Sequence, residues 1–286
     1  MRPNPNIVGS YTYLTLDDVE YRVYYEECGE GIPLICQHTA GGEGRQWRHL
    51  IEDPDITSRF RVIVPDLPFH GKSLPPSDVR WWESDYRLTK DGFENFIVAL
   101  SQQLELEQPV YLGCSMGGHL ALDLAHDFPD EFSAVIGLEA ALHSHGAEGL
   151  MNYLNHPRIA NDFMAAQMYG ICAPMSPEES RRETAWIYSQ GSPPVFRGDL
   201  NYYFIEHDLT DGVHEIDTSK VAVYVLSGEY DYSATPALGV ELANAIRGSK
   251  FTVMENMGHF PMSENYELFK QYLMPVLDEI YEASLA

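Results

Sequence analysis

Three side chains in this sequence are of the types that nucleophilic catalysis requires. Ser115 lies in the pentapeptide Gly113-Cys-Ser-Met-Gly117, while Asp231 and His259 each follow an apolar run further along the chain. A serine hydroxyl is a poor nucleophile at neutral pH, so it needs a base that takes its proton and a third group that orients the base. These residues can share that chemistry only if the fold brings them together.

The segment around Ser115 is predicted to be a strand that turns sharply into a helix. Residues 109–112 form a short apolar, β-rich run, whereas residues at helical spacing follow the serine, namely Leu120, Ala121, Leu124 and Ala125. Such a turn crowds the neighbours of the serine, which explains the glycines two positions away on each side, Gly113 and Gly117. It also places the hydroxyl at a helix N-terminus, where free N–H groups favour developing negative charge.

Asp231 and His259 are predicted to lie at the same edge of the fold as Ser115. Asp231 comes just after a predicted strand at 221–227, and His259 comes just after the next one, at 250–254. In an open parallel sheet, residues at the carboxyl ends of the strands meet along one edge. We therefore expect the three side chains to lie close together.

The order of the predicted elements indicates the fold class. A hairpin at 11–16 and 21–27 opens the chain, and strands then alternate with helices. The further strands are predicted at 33–37, 61–65, 109–112, 134–138, 221–227 and 250–254, and the helices at 46–52, 91–104, directly after Ser115, at 236–246 and at 267–281. This alternation predicts an α/β fold with a mostly parallel central sheet flanked by helices.

The alternation stops between residues 141 and 213. Met, Tyr, Phe and Pro mix there with short helical stretches, and no convincing central strand is present. We interpret 141–213 as an inserted helical lid on a core formed by 1–140 and 214–286. Because small-molecule sites are mostly apolar clefts between domains, Met168 and Trp186 of this lid are predicted substrate contacts.

The charge of the chain limits its partners. Eighteen Lys and Arg against 43 Asp and Glu give a formal charge of −25, which argues against nucleic acid or an anionic membrane as partner. The histidines show no HxH or HExxH spacing, so we expect no metal and no cofactor. The expected partner is a small-molecule acyl substrate, and the sequence leaves the oligomeric state open.

The cysteines and the N-terminus bear on the compartment. The four cysteines show no CxxC or paired spacing, the first residues lack the apolar core of a signal peptide, and no window approaches about 18 consecutive apolar residues. A reduced, cytoplasmic protein is therefore expected.

Several segments together resemble the α/β-hydrolase family. They are Gln37-His-Thr-Ala-Gly-Gly42, Asp66-Leu-Pro-Phe-His-Gly-Lys-Ser73, the serine turn, and the Asp231 and His259 segments, in the family's chain order Ser, acid, His. They cover nearly the whole chain except the lid. The resemblance implies that Ser115 is the nucleophile, that His259 is the base and then the acid, and that Asp231 fixes the imidazole tautomer.

The resemblance also implies an oxyanion hole formed by the N–H groups of Met116 and Ala40. Thr39 stands where the family usually has glycine, so His38 and Thr39 of this loop are predicted as substrate contacts. Some relatives of the fold take their acid from the strand after the nucleophile helix, which makes Glu139 the alternative to Asp231.

Three functions are compatible with these residues. The first is hydrolysis of carboxylic esters or related small acyl compounds through an acyl-enzyme. The second is carbon–carbon bond hydrolysis of ring-cleavage diketo acids. The run Gly113–Gly118 is similar to that of the enzymes that catalyse this reaction, although Phe260 stands where they commonly have Trp. The third is a ligand-binding receptor on the same fold, because fold does not fix function.

Overall fold

One eight-stranded sheet organises the chain. The computed structural model describes residues 6–144 and 148–285. The strands are β1 Val8–Leu16, β2 Val19–Cys28, β3 Ile32–Gln37, β4 Phe60–Pro65, β5 Val110–Cys114, β6 Ala134–Leu138, β7 Ala222–Gly228 and β8 Lys250–Met254. Their order across the sheet is β1-β2-β4-β3-β5-β6-β7-β8. Pairing is antiparallel for β1 with β2 and for β2 with β4, and parallel for every other pair, so the predicted α/β class is confirmed.

The hairpin that opens the chain turns on two aspartates. Leu16 pairs with Val19, and the turn residues Asp17 and Asp18 have φ values of 49° and 61°. Two consecutive positive φ angles match the twist of a tight hairpin, and aspartate tolerates this conformation better than most residues.

Helices cover both faces of the sheet. They are α1 Arg48–Ile51, α2 Pro54–Thr57, α3 Lys90–Gln103, α4 Met116–Asp127, α5 Glu148–Leu154, α6 Asp162–Ile171, α7 Glu178–Ser189, α8 Pro193–Asn201, α9 Pro236–Ala245, α10 Pro261–Glu264 and α11 Tyr266–Ser284. On β5, Tyr111 packs into the cluster that contains α3 and α4, while Leu112 packs into the cluster that contains α11. A strand buried on both faces is apolar throughout, which is the signal that located β5 in the sequence.

The helix predicted over 46–52 is interrupted. A 3₁₀ turn at Gly44–Trp47 leads into α1, and α2 then starts at Pro54 with the Asp53 side chain accepting from Asp55 N. Proline favours the first position of a helix because it has no N–H to lose there. The start of a second helix at Pro54 was not predicted.

The segment 141–213, interpreted as a lid, lies between β6 and β7. It contains α5, α6, α7, α8 and a π-helical turn at Tyr202–Glu206, and residues 145–147 within it are outside the described part. His143 and Asp208 form an isolated antiparallel bridge, and Leu209 N–H donates to Leu142 O at 2.9 Å. The two ends of the segment therefore meet where the chain leaves β6.

None of the helices within residues 6–144 and 148–285 combines the length and apolar character needed to cross a bilayer.

Candidate active site

Ser115 sits in a strained turn between β5 and α4. Its φ and ψ are 57° and −114°, and its N–H donates to Leu138 O at 2.9 Å. A Cβ on Gly113 would lie 2.2 Å from Gly117 O, and one on Gly118 would lie 2.1 Å from Leu138 O. Side chains at these glycines would push the turn off the sheet, so the sequence around Ser115 is dictated by the sharpness of the turn.

Asp231 and His259 form a buried pair at the carboxyl ends of β7 and β8. His259 Nδ1 lies 2.9 Å from Asp231 Oδ2, and Asp231 Oδ1 accepts from Ser233 N at 2.8 Å and from Ser233 Oγ at 3.1 Å. Burial alone would raise the pKa of Asp231, but His259 and these donors hold that pKa well below its ordinary value. The carboxylate therefore stays charged and fixes the proton of His259 on Nδ1, which leaves Nε2 free to accept a proton.

Glu139, the alternative acid, contacts the Asp231 side chain and the backbone of Gly228. Both of its carboxyl oxygens are 2.9 Å from Gly228 N, and its carboxyl group hydrogen bonds to Asp231. Burial and the neighbouring Asp231 raise the pKa of Glu139 well above its ordinary value. A protonated Glu139 donates to Asp231, and among the described contacts none joins Glu139 to the His259 ring.

Ser115 and His259 line one small cavity. Its volume is about 60 Å³. The core contributes Ala40, Ser115, Tyr232, Ser233, His259 and Phe260, and the segment 141–213 contributes Leu154, Gln167, Met168, Ile171, Tyr188, Phe196, Leu200, Tyr203 and Phe204. No Lys, Arg, Asp or Glu is among these lining residues. Larger clefts of about 370 and 460 Å³ are lined by none of the three predicted triad residues.

Two backbone N–H groups at the cavity are available to a ligand. Met116 is the first residue of α4, so its N–H has no acceptor within the helix. In the loop after β3, Thr39 N donates to Gln46, Gly41 N to Asp199 and Gly42 N to Thr39 O. Ala40 N–H, between them, has no acceptor in the described part of the chain. Ala40 and Met116 are the two residues predicted to form an oxyanion hole, and that role stays a prediction.

His38 and Thr39, predicted as substrate contacts, do not line the cavity. His38 Nδ1 donates to Thr39 O at 2.9 Å, and Leu67 N donates to His38 Nε2 at 3.2 Å, so both ring nitrogens are used inside the protein. Burial lowers the pKa of His38 well below its ordinary value, which keeps the ring neutral. The Thr39 hydroxyl contacts Gln46 and, very closely, Tyr188. Both residues support the loop, because their polar atoms already have internal partners.

The two lid residues predicted to contact substrate have different positions. Met168 is 5% exposed and lines the cavity. Trp186 is 52% exposed, and the Arg45 guanidinium lies over its ring at 4.8 Å. Trp186 is therefore outside the cavity, and Tyr188, two residues later on α7, lines it instead. Ser233 was not predicted to take part in the site. The spacing Asp-x-Ser of Asp231 and Ser233 could have indicated it, because an aspartate side chain commonly accepts from the backbone N–H two residues later.

Two further histidines, His119 and His207, lie next to the turn at Ser115. His119 Nδ1 donates to Ser115 O at 3.1 Å, and its ring is 4.3 Å from that of His207. His207 places Nδ1 2.9 Å from Asp123 Oδ2 and Nε2 3.0 Å from Ala141 O. The contact between His207 and Asp123 joins the segment 141–213 to α4.

Within residues 6–144 and 148–285, no group of three or more His, Cys, Asp or Glu side chains is arranged to hold a metal ion.

The sheet order, the strained serine turn and the buried Asp–His pair are those of an α/β hydrolase. A family model for the alpha/beta hydrolase fold matches residues 32–171. A thermophilic esterase from Thermogutta terrifontis superimposes with a TM-score of 0.82 at 21% identity, covering 95% of this chain and 99% of that one. The chain therefore has the α/β-hydrolase fold.

Sequence relatives within this family differ in their described functions. The chain is 35% identical over 123 residues to the magnesium-chelatase 30 kDa subunit of Rhodobacter capsulatus, covering 43% of this chain but only 39% of that subunit. It is 20% identical over 276 residues to a 2-hydroxy-6-oxononadienedioate/2-hydroxy-6-oxononatrienedioate hydrolase of Escherichia coli, covering 90% of this chain and 91% of that enzyme. The chain thus spans about two fifths of the length of the first relative and most of the second.

Proposed function

We propose that this protein is a serine hydrolase that cleaves esters of small, uncharged carboxylic acids through an acyl-enzyme. The observation that carries the proposal is that Ser115 and His259 line one cavity while Asp231 holds the other side of the His259 ring. Nucleophile, base and orienting acid are the three parts that acyl transfer to serine requires. The reaction needs no cofactor.

The first half of the reaction forms the acyl-enzyme. Ser115 Oγ attacks the ester carbonyl carbon while its proton passes to His259 Nε2. The N–H groups of Ala40 and Met116 donate to the oxygen that becomes negatively charged. The tetrahedral intermediate then collapses, the carbon–oxygen bond to the alcohol breaks, and the alcohol leaves with the proton from His259.

The second half releases the acid. Water gives a proton to His259 Nε2 as its oxygen attacks the acyl carbon, and the same two N–H groups stabilise the second intermediate. Collapse of this intermediate breaks the bond to Ser115 Oγ, which recovers the proton from His259. Asp231 stabilises the imidazolium formed in each half because its carboxylate remains ionised.

The lining of the cavity supports an uncharged acyl group over a diketo diacid. A carboxylate moved out of water needs a cation or several donors to offset its lost hydration. The described lining residues provide hydroxyl and amide groups but no Lys or Arg. A dioate such as that in the name of the Escherichia coli relative would place at least one carboxylate among aromatic and thioether groups. The same absence favours ester cleavage over the carbon–carbon alternative.

Purified protein assayed on a panel of substrates tests this function. The panel contains 4-nitrophenyl acetate, butyrate and pivalate, a lactone, and a 2-hydroxy-6-oxo dienedioate. We expect turnover of the acetate and butyrate and none of the dienedioate. Turnover of the dienedioate alone would replace the proposal with carbon–carbon hydrolysis. Saturable binding of panel members without turnover would instead make the protein a receptor.

Met168→Ala is expected to change substrate choice, and Trp186→Ala is its matched control. Met168 lines the cavity, so shortening this side chain enlarges the space for the acyl group. Trp186→Ala instead removes a larger side chain from the outer surface. The ratio of kcat/KM for pivalate to that for acetate should rise by about tenfold in Met168→Ala, since filled and unfilled apolar space differ by ~1–3 kcal/mol. The ratio should stay within about twofold in Trp186→Ala. An equal change in both variants would mean that this face of the lid affects stability and does not select substrates.

A further inference from the structure

Asp199 of α8 is a buried carboxylate that joins the segment 141–213 to two loops of the core. It is completely buried, its Oδ2 accepts from Gly41 N at 2.7 Å and from His70 Nε2 at 2.8 Å, and its Oδ1 accepts from the Tyr86 hydroxyl at 3.1 Å. Asp199 takes no direct part in the proposed acyl transfer. A carboxylate in this position requires compensation of its charge, because burial without a partner is costly.

His70 provides the compensating charge. Its Nδ1 lies 2.9 Å from Pro68 O and its Nε2 faces Asp199, so both nitrogens need a proton. Burial opposes the charged form, but the Asp199 carboxylate outweighs it and raises the pKa of His70 above its ordinary value. The His38 ring, 4.9 Å away, is neutral and does not compete for Asp199. The pair is therefore an imidazolium and a carboxylate.

Gly41, the residue that Asp199 holds, immediately follows Ala40. Gly41 has φ +65°, and a Cβ on it would lie 2.6 Å from Phe196 Cγ, on the same helix as Asp199. Gly191, just before α8, comes so close that a Cβ there would lie 2.8 Å from Gly41 O. Both peptide groups of Gly41 are thus packed against the segment 141–213, and the segment sets the direction of the loop.

The consequence falls on Ala40 N–H. Thr39 N–H and Gly42 N–H are bonded within the core, to Gln46 and Thr39 O, so among these N–H groups only that of Gly41 is bonded to the lid segment. The Thr39 hydroxyl also contacts Tyr188 of that segment. If the Asp199 contact is lost, the Gly41 N–H is no longer held and the backbone of Ala40 and Gly41 can shift. Because the direction of the Ala40 N–H depends on the torsions on both sides of its peptide group, such a shift would redirect it.

We propose that Asp199 is a positioning residue for the oxyanion hole, so that docking of the lid segment and alignment of Ala40 N–H are one event. This inference rests on the proposed acyl transfer and names what controls it. It distinguishes Asp199 from His207, which makes a different buried contact between this segment and the core. His207 contacts Asp123 and Ala141 O and does not touch the loop after β3.

The test compares Asp199→Leu with His207→Leu as matched variants. Each removes a buried polar side chain of the segment 141–213 and leaves its partners in the core without their bond, so both should melt at lower temperature than the wild type. At a temperature where circular dichroism shows both to be folded, Asp199→Leu should lower kcat for 4-nitrophenyl acetate by about a hundredfold, the loss typical of one oxyanion donor, with little change in KM. His207→Leu should keep kcat within about fivefold.

A boronic acid separates alignment from general loosening of the site. Ser115 Oγ adds to boron, its proton passes to His259, and the negatively charged tetrahedral boronate places one of its hydroxyl oxygens at the oxyanion position. Asp199→Leu should weaken inhibition by phenylboronic acid by about the same factor as it lowers kcat/KM, whereas His207→Leu should not. Tyr86→Phe, which leaves the bond to Gly41 in place, should behave like the wild type in both measurements.

Three outcomes would overturn the inference. They are full activity of folded Asp199→Leu, equal losses in Asp199→Leu and His207→Leu, and a rise in KM with unchanged kcat. If Asp199→Leu does not fold, His70→Leu/Asp199→Leu removes both partners together, and wild-type kcat in that folded variant would also overturn it. Failure of the proposed function is distinct, because the wild type itself would then hydrolyse no ester.

Discussion

Ser115→Ala is expected to lower ester turnover by about six powers of ten, the loss found when the triad serine of a serine protease is removed. The acyl-enzyme cannot form without the hydroxyl, and only the oxyanion donors and substrate binding remain. The fold should persist because the side chain borders an existing cavity and its loss opens little new space. Initial rates with 4-nitrophenyl acetate, with thermal melting on the same samples, measure both effects.

Ser101→Ala is the control for this variant. Ser101 is also buried, but it lies on α3 and its hydroxyl contacts Leu106 O, away from the cavity. Full activity is expected there, and a fluorophosphonate probe should label this control and the wild type but not Ser115→Ala. A folded Ser115→Ala protein that kept more than about one per cent of the wild-type rate would eliminate Ser115 as the nucleophile.

Asp231→Asn and Glu139→Gln are expected to differ by about three powers of ten or more. The amide of Asp231→Asn favours the wrong His259 tautomer, a change that costs about 10⁴ in kcat in a serine protease. In Glu139→Gln, the amide oxygen still accepts from Gly228 N and the amide N–H still donates to Asp231, as the protonated acid does. Activity within about tenfold of the wild type is therefore expected.

The ranking of these two variants decides which acid acts on His259. Measurement of kcat and KM near neutral pH for both, with folding checked by circular dichroism, is sufficient. A severe loss in Glu139→Gln with a mild loss in Asp231→Asn would move the role to the end of β6. Equal severe losses would show that the two carboxyl groups work as one unit through their shared hydrogen bond.

The core of the fold was predictable because its signals are local. Central strands such as β5 and β6 are buried on both faces and are therefore continuous apolar runs bounded by turn residues. Asp231 follows such a run, β7, whereas His259 follows the edge strand β8. Their meeting at the carboxyl edge follows from parallel pairing, which alternation with helices requires.

The lining of the cavity was not predictable in the same way. Trp186 and Tyr188 are both aromatic and stand two residues apart on α7, so they point in very different directions from the helix axis. Which one faces inward depends on how α7 packs against the core, and no local signal in the sequence records this. Tyr188 is 1% exposed and Trp186 is half exposed.

The partners of Asp199 were hidden for a related reason. Asp199 and Gly41 are separated by 158 positions in the chain, and the bond between them involves a backbone N–H, which every residue but proline has. The side chain alone gave no sign of its partner. Contacts of this kind require the packed structure.

The backbone of Ser115 has a consequence for how this protein can change under selection. A non-glycine residue at φ 57° and ψ −114° stores about 1–3 kcal/mol of strain, and every replacement that keeps a Cβ inherits it. Glycine is the exception, at the smaller entropic penalty of about 0.5–1 kcal/mol. A library screened for heat resistance alone therefore has a favourable route that discards the nucleophile, so turnover must be retained as a second criterion in any effort to make this protein more robust.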